Sequence, residues 1–371
     1  MRGGERCLEA FCEIFPEAPI YTLVHIPGST SQKIEQHKII PSFLNSIPLV
    51  KKNYPYFLPL FPWAIRSFNL HGFDLILSSS HCVAKGISVP NGTFHISYVH
   101  TPMRYVWDRY EDYVTQENRF QLKNLAFYFI RKRLQRWDVK SNAHVHCFIA
   151  NSHYVAQRIK QHYARTATVI YPPVDWNSYR LSSHKEEEGF YLIVSAFVPY
   201  KRVDLAIKAS NSMKFPLKII GKGKDETRLK KIAGSTVEFL GWQPDHRVRQ
   251  IYRQCRAVIF PGEEDFGIVP LEAMACGKPV IAYGKGGVLE TVVPYNPLHP
   301  IESNKSPTGV FFFQQTPESL CAAIKVFEKK ENEFSPHAIR EQAKPFDRLY
   351  FIKNLRSAIK KNYDLFTSPP K

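Results

Sequence analysis

Apolar residues along this chain recur in two alternating patterns. Short β-branched runs, which a strand can bury on both faces, stand between longer amphipathic stretches with apolar positions three and four apart. That alternation predicts a parallel sheet wrapped by helices. In the front half the runs place strands at Tyr21–His25, Phe73–Ser79, Phe94–Val99 and Cys147–Ala150, with a less regular one at Lys38–Ser42. The back half repeats the rhythm at Thr168–Tyr171, Tyr191–Ser195, Leu217–Ile220, Val237–Leu240, Ala257–Phe260, Val280–Ala282 and Val310–Phe313. An α/β chain of doubly wound type is the expectation.

The tandem prolines of Tyr171-Pro172-Pro173-Val174-Asp175 hold the chain extended, and the polar run from Ser182 to Glu188 has almost nothing to bury. This linker zone divides the chain into domains at 1–165 and 166–346. From Arg348 to about Asp364 a last helix sets Leu349, Ile352, Leu355, Ile359 and Tyr363 at helical spacing, and 347–371 is expected to cross back to the front domain. A doubly wound domain usually opens with a strand that feeds a glycine-rich turn. This sequence starts at Met1-Arg2-Gly3-Gly4-Glu5, already at the turn, so the first strand is expected to be missing: either the start is placed too late, or the copy is truncated and its front sheet lacks a central strand.

Composition narrows the partners. The 371 residues suffice for two domains, and 50 Lys and Arg against 33 Asp and Glu give a net charge of +17, spread over both halves. A basic arm on a neutral body is thereby excluded, while anionic small molecules and an anionic membrane surface remain. The sequence holds no helix-turn-helix, zinc-finger or RNP pattern, so no nucleic-acid partner is expected. Seven cysteines form no CxxC pair and mostly lie in apolar runs, which predicts buried reduced thiols and no metal site. No run approaches the ~18 apolar residues of a membrane span, and Glu5, Glu9, Glu13 and Glu17 break any signal-peptide form. A soluble, cytoplasmic chain is expected.

The stretch from Phe260 to Pro279 carries the most chemistry. A strand ends at Phe260, a loop carries Glu264, and a short helix stops at Gly277, so the N–H groups of Phe266, Gly267, Ile268 and Val269 are free to bind an anion or sugar hydroxyls. Glu264 and Glu272, with seven residues between them, can bracket a ligand across the helix start; with Glu263 they can equally complement the helix dipole. The helix Arg119–Lys140 sets Phe120, Leu122, Leu125, Phe127, Phe129 and Ile130 against Arg131, Lys132, Arg133 and Arg136. That face suits an anionic membrane surface, and a core helix with a solvated basic end fits as well. Asn151 and Ser152 are expected to cap the helix starting at His153.

Glu264-x7-Glu272 within EDFGIVPLEAMACGKPVIA, with VSAFVPYKRVDLAI, IIGKG, FLGW and GKGGVLETV, resembles the donor-binding half of the retaining family 4 glycosyltransferases. In the front half MRGGERCLEAFCEIFP, SYVHTPMRYVWD and FIANSHYVAQRI resemble the subgroup containing bacterial O-antigen mannosyltransferases. The motifs stand in the family's order over nearly the whole chain. The resemblance implies the GT-B architecture, two Rossmann-like domains facing across a cleft, and transfer of a hexose to a lipid-linked or lipopolysaccharide saccharide. Mannose from GDP-mannose follows from the subgroup alone.

Carried over residue by residue, the resemblance gives Glu264 the donor hexose, alongside the N–H groups of Phe266, Gly267 and Ile268. It gives Glu272 the nucleotide ribose and Lys201 the diphosphate. His100, closing the strand in YVHTP, would contact the donor sugar, and Gly3 and Gly4 would lie beside the donor phosphates. Arg104, Tyr105, Trp107 and Asp108 would meet the acceptor, or else form an aromatic clamp on the next helix. No metal cofactor is implied, since Lys201 and a helix start together clamp a diphosphate; the nucleotide sugar is a substrate. The family's usual arginine five residues before the lysine is Ala196 here, and Arg202, Lys222 or Lys224 are the candidates to replace its charge. Two alternatives accompany this reading: a nucleotide-sugar epimerase or phosphorylase of the same architecture, and a degenerate copy that binds without turnover.

Overall fold

The computed structural model describes residues 3–108, 122–181, 188–295 and 306–368. They form two compact units, Met1–Pro173 with Leu349–Lys371, and Val174–Arg348. The boundary lies at Pro173 and not at Thr166, because the short strand Thr168–Val169 still pairs with the front sheet. Val174 then turns into the second unit, donating its N–H to the Phe346 carbonyl at 2.9 Å. The polar run 182–187 lies outside the described residues.

Every strand pairing is parallel. Unit 1 contains β1 (Ile20–Thr22), β2 (Ile39–Pro41), β3 (Leu75–Ser80), β4 (Phe94–Val99), β5 (Cys147–Ala150) and β6 (Thr168–Val169). They form two sheets, β1-β2 and β3-β4-β5-β6. The two sheets of unit 1 are separate among the described residues, with no strand pairing β1 to β3. Unit 2 contains β7 (Tyr191–Val194), β8 (Leu217–Ile220), β9 (Val237–Gly241), β10 (Ala257–Phe260), β11 (Val280–Tyr283) and β12 (Gly309–Phe312). Its single sheet runs β12-β11-β10-β7-β8-β9.

The central strands are buried on both faces: all four residues of the apolar run β10 are buried, and so are all six of β4, including the polar His95 and Ser97. Helix Gly3–Ile14 lays Cys7, Ala10 and Phe11 on the β4 side of unit 1, where helix Arg348–Thr367 adds Phe351, Leu355 and Ile359 at four-residue spacing. The rings of Phe11, Tyr98 and Phe351 meet at 5.6 to 6.0 Å. Leu349, expected on the buried stripe, is exposed, and Phe351 takes the inward position. Helix Leu122–Lys140 packs Ile130, Leu134 and Trp137 into a second core with Phe61, Ala64 and Ile65. One side of this helix is thus in the core, while Tyr128 and Phe129 are exposed together with Lys132, Arg133 and Arg136. Arg119 and Phe120, and the side chains of Leu122, Leu125 and Phe127, lie outside the described residues. Five of the seven cysteines are buried and none is in a disulfide. No helix among the described residues is long and apolar enough to cross a membrane.

Candidate active site

In unit 2 the chain winds from β7 through β8 to β9 on one side, then returns to place β10, β11 and β12 on the other. The winding reverses between β7 and β10, and the loops leaving their carboxyl ends diverge there, which is where open α/β sheets take ligands. The loop after β7 ends in a tight turn, Pro199–Lys201, in which proline presets the first backbone angle. The loop after β10 carries Glu264. Lys201 Nζ and Glu264 Oε1 form an ion pair with both side chains partly shielded, at 15% and 22% exposure.

Glycines make this approach possible. A Cβ on Gly262 would lie 2.9 Å from the Lys201 Cα, and one on Gly287 would lie 2.4 Å from the Asp265 oxygen and the Phe266 Cα. The Glu264 carbonyl accepts the Gly287 N–H at 2.9 Å, which fixes the acidic loop against the loop after β11. On the other side Gly221 and Gly223 lie against the carbonyls of Ser195 and Phe197, and Phe197 donates its N–H to the Lys222 carbonyl at 3.0 Å. Lys222 and Lys224 are exposed on that loop, next to the backbone of Ala196. Arg202 takes other partners: its Nε donates to Asp204 at 3.3 Å and its Nη2 to the Gln315 carbonyl at 3.3 Å.

Helix Ile268–Ala275 follows, with Gly267 at φ +88 as its N-cap and no side chain capping it. The first N–H groups, including those of Ile268 and Val269, therefore have no side-chain acceptor from the cap. Phe266 is buried and its ring lies 6.0 Å from that of Phe346. Glu272 is buried on this helix and accepts the Tyr252 hydroxyl at 3.0 Å; burial, with this carboxylate beside it, holds the Tyr252 phenol well above its ordinary pKa. At the end of the helix the Ala275 carbonyl accepts a hydrogen bond from Arg340, whose guanidinium lies 3.9 Å from the Trp176 ring centre. No local pattern marks Arg340.

In unit 1 the ends of β3 and β4 meet the start of helix Gly3–Ile14. His100 follows β4, and its Nε2 lies 2.8 Å from Ser79 Oγ. A Cβ on Gly4 would come within 3.8 Å of the same Nε2, so glycine turn and histidine are neighbours. Burial, with His81 adding to it, lowers the His100 pKa to about 3, so the ring is neutral at physiological pH. Asn151 donates to the His100 carbonyl at 2.9 Å, while Ser152 caps helix His153–Tyr163 by accepting the Val155 N–H at 3.0 Å. Ser79 was visible only as one of three serines ending an apolar run.

The segment carrying Arg104, Trp107 and Asp108 is held internally. Asp108 pairs with the buried Arg158, and the Trp107 ring stacks on His162 at 4.4 Å while its Nε1 donates to Asp138 at 2.7 Å. Arg131 and Gln135 both donate to the Val106 carbonyl, at 2.8 and 2.7 Å. This is the clamp geometry that the sequence left open beside acceptor contact. The Tyr105 side chain lies outside the described residues. Behind the clamp is a pair that sequence reasoning missed: Lys85 Nζ lies 2.9 Å from Asp138 Oδ1, with both side chains at most 1% exposed.

A family model for glycosyltransferase family 4 matches residues 1–177, and a model for glycosyl transferases group 1 matches 176–346. An uncharacterised glycosyltransferase of Methanocaldococcus jannaschii is 30% identical over 222 residues, covering 58% of each chain. O-antigen chain mannosyltransferase C of Escherichia coli is 31% identical over 156 residues, covering 38% of this chain and 42% of that protein. The chain thus aligns with little more than half the length of the first of these relatives and with less of the second. Sucrose-phosphate synthase of Thermosynechococcus elongatus shares the fold at a TM-score of 0.71 and 16% identity, over 97% of this chain and 92% of that one. With the two models dividing residues 1–346 between its two units, the chain belongs to the family 4 glycosyltransferases of GT-B fold.

Proposed function

We propose that the protein is a retaining hexosyltransferase that moves mannose from GDP-mannose to a lipid-linked or lipopolysaccharide saccharide at the cytoplasmic membrane face. The observation that carries this reading is the Lys201–Glu264 ion pair between the loops leaving β7 and β10. A diphosphate arriving there competes for the Lys201 ammonium and releases the Glu264 carboxylate to accept hydrogen bonds from sugar hydroxyls. Lys201 and the uncapped start of helix Ile268–Ala275 then neutralise the charge that grows as the nucleotide leaves. Glu272, already holding Tyr252, is set to accept from the ribose.

In the reaction the acceptor oxygen bonds to the anomeric carbon on the face that the nucleotide leaves. The bond from that carbon to the phosphate oxygen breaks with its electron pair, and the acceptor proton passes to the departing phosphate. No carboxylate nucleophile takes part. The mannosyl assignment is supported by sequence likeness to an O-antigen mannosyltransferase, and the exposed Lys222 and Lys224, on the loop that holds Phe197, are candidates to replace the charge absent at Ala196. A second reading, binding without turnover, is favoured by Ala196, which stands where the family's arginine is expected.

The test is thermal unfolding of the full chain with GDP, UDP, ADP and CMP and their hexose conjugates, first without divalent metal and then with it. Ligand at one hundred times its Kd adds about 2.7 kcal/mol to stability. A metal-independent rise in Tm with GDP and GDP-mannose, followed by transfer to a lipid-linked saccharide, is expected. A larger rise with UDP-hexoses would reassign the donor, and binding without transfer would favour the second reading.

A further inference from the structure

The outward face of one helical segment in unit 1 has the wrong chemistry for water. Residues Tyr54–Leu60 form a 3₁₀ segment that continues directly into helix Phe61–Arg66. Its inner side is ordinary, with Phe61, Ala64 and Ile65 buried in the core. The opposite positions, at spacings of three and four, are Tyr56, Pro59, Trp63 and Arg66, and all four are exposed. Tyr56 is 80% exposed and Trp63 62% exposed. A helix packed on a core normally turns charged and polar side chains outward, whereas this one turns out two large aromatic rings and a proline.

Charge completes the pattern. From Gln36 to Phe73 the sequence contains no Asp or Glu, while it contains Lys38, Lys51, Lys52 and Arg66. Lys38, Lys51 and Arg66 are exposed, as are Phe43 at 48% and Leu49 at 64% just before the segment. Tyrosine and tryptophan combine an apolar body with one polar edge, which suits the boundary between lipid headgroups and acyl chains. Cations in an acid-free setting are drawn to an anionic leaflet. An acidic protein partner would satisfy the cations but has less use for outward tryptophan, tyrosine, leucine and phenylalanine together.

We infer that the exposed stripe Tyr56, Pro59, Trp63 and Arg66, flanked by Leu49 and Lys51, docks unit 1 onto an anionic phospholipid bilayer. This surface differs from the basic face of helix Leu122–Lys140, where Phe129 is also exposed but Ile130, Leu134 and Trp137 pack into the core. The inference deepens the proposed action on a lipid-linked acceptor and rests on that reading only for its use; binding to lipid is measured without donor or acceptor, so the two can fail separately.

The test is cosedimentation of the full chain with vesicles of phosphatidylcholine alone and of phosphatidylcholine with phosphatidylglycerol at about 30%, a fraction that gives a strongly negative surface. Wild type is expected to partition onto the anionic vesicles only, and less at high salt. Tyr56→Ser with Trp63→Ser, and separately Lys51→Gln with Arg66→Gln, should each lower the partition coefficient at least about tenfold, near fivefold per cation removed. All four positions are exposed, so thermal unfolding should stay within about 2 °C of wild type. The control pair Phe129→Ser and Arg133→Gln on the other helix should change binding less than threefold, by roughly the weight of one outlying charge. Failure of wild type to bind, equal binding to both vesicles, or loss only in the control pair would overturn the inference and leave the stripe to a protein partner.

Discussion

At the scale of single residues, Lys201 and Glu264 are each other's counter-charge. Glu264→Ala and Lys201→Ala are each expected to lower kcat/KM at least ~100-fold, the size of losing one transition-state electrostatic contact. A loss below tenfold in steady-state kinetics, with thermal unfolding unchanged, would remove that role from the residue concerned. The buried histidines of unit 1 make a second prediction. Burial lowers the pKa of His95 to about 4 and that of His100 to about 3, against ~6.5 in an unfolded chain. Between those values the unfolded chain binds more protons than the folded one, so stability is full above pH ~6.5 and is lost as pH falls towards 4. Urea denaturation at pH 7, 6 and 5 should show a slope approaching ~1.4 kcal/mol per pH unit for each such histidine. His95→Gln, which keeps polar groups near Ser78 and the His144 carbonyl, should flatten it.

At the scale of elements, what fixes the segment Thr101–Asp108 is the packing of helices Leu122–Lys140 and His153–Tyr163 around it. The centre of that clamp is Lys85, which donates to the Asp138 carbonyl and Ser141 Oγ at 2.6 Å each and lies 4.5 Å from the Tyr163 ring centre. Asp138 in turn accepts from Trp107 and, at 2.9 Å, from the Tyr163 hydroxyl. Burial pushes the Lys85 pKa down, with Asp138 opposing, and pushes the Cys82 thiol up to about 12. Breaking one side of a buried pair strands the other charge. Asp138→Asn is therefore expected to cost about 3–5 kcal/mol, and Lys85→Met with Asp138→Leu distinctly less than the sum of its single changes. Urea titration of Asp138→Asn, Lys85→Met, Asp138→Leu and the double variant checks this; a fully additive double variant would mean that the two groups do not interact.

At the scale of the molecule, each unit carries its own core, and the last helix belongs to the unit in which the chain began. Ending the chain at Arg348 strips Phe351, Leu355 and Ile359 from unit 1, each worth about 1.5–3 kcal/mol of burial. Calorimetry should then show the unit 1 transition lost or lowered by more than about 10 °C, given the few °C that each kcal/mol shifts a domain this size. Unit 2 should keep its own transition. A uniform downward shift of a single transition would contradict independent units. The sequence by itself determined the bounds of four strands, Phe94–Val99, Cys147–Ala150, Leu217–Ile220 and Ala257–Phe260, because short runs rich in β-branched and aromatic residues mark a buried strand even where His95, Ser97 or Lys218 interrupts them. It also held the glycine and glutamate motifs of the acidic loop, since those are contiguous. Only the tertiary structure decided that Lys201 meets Glu264, that Lys85 meets Asp138, that Tyr252 covers Glu272 and that the unit boundary lies at Pro173. Those pairings depend on the order in which strands lie side by side. Local periodicity records which face of an element is buried, and leaves open which distant loop the sheet brings next to it.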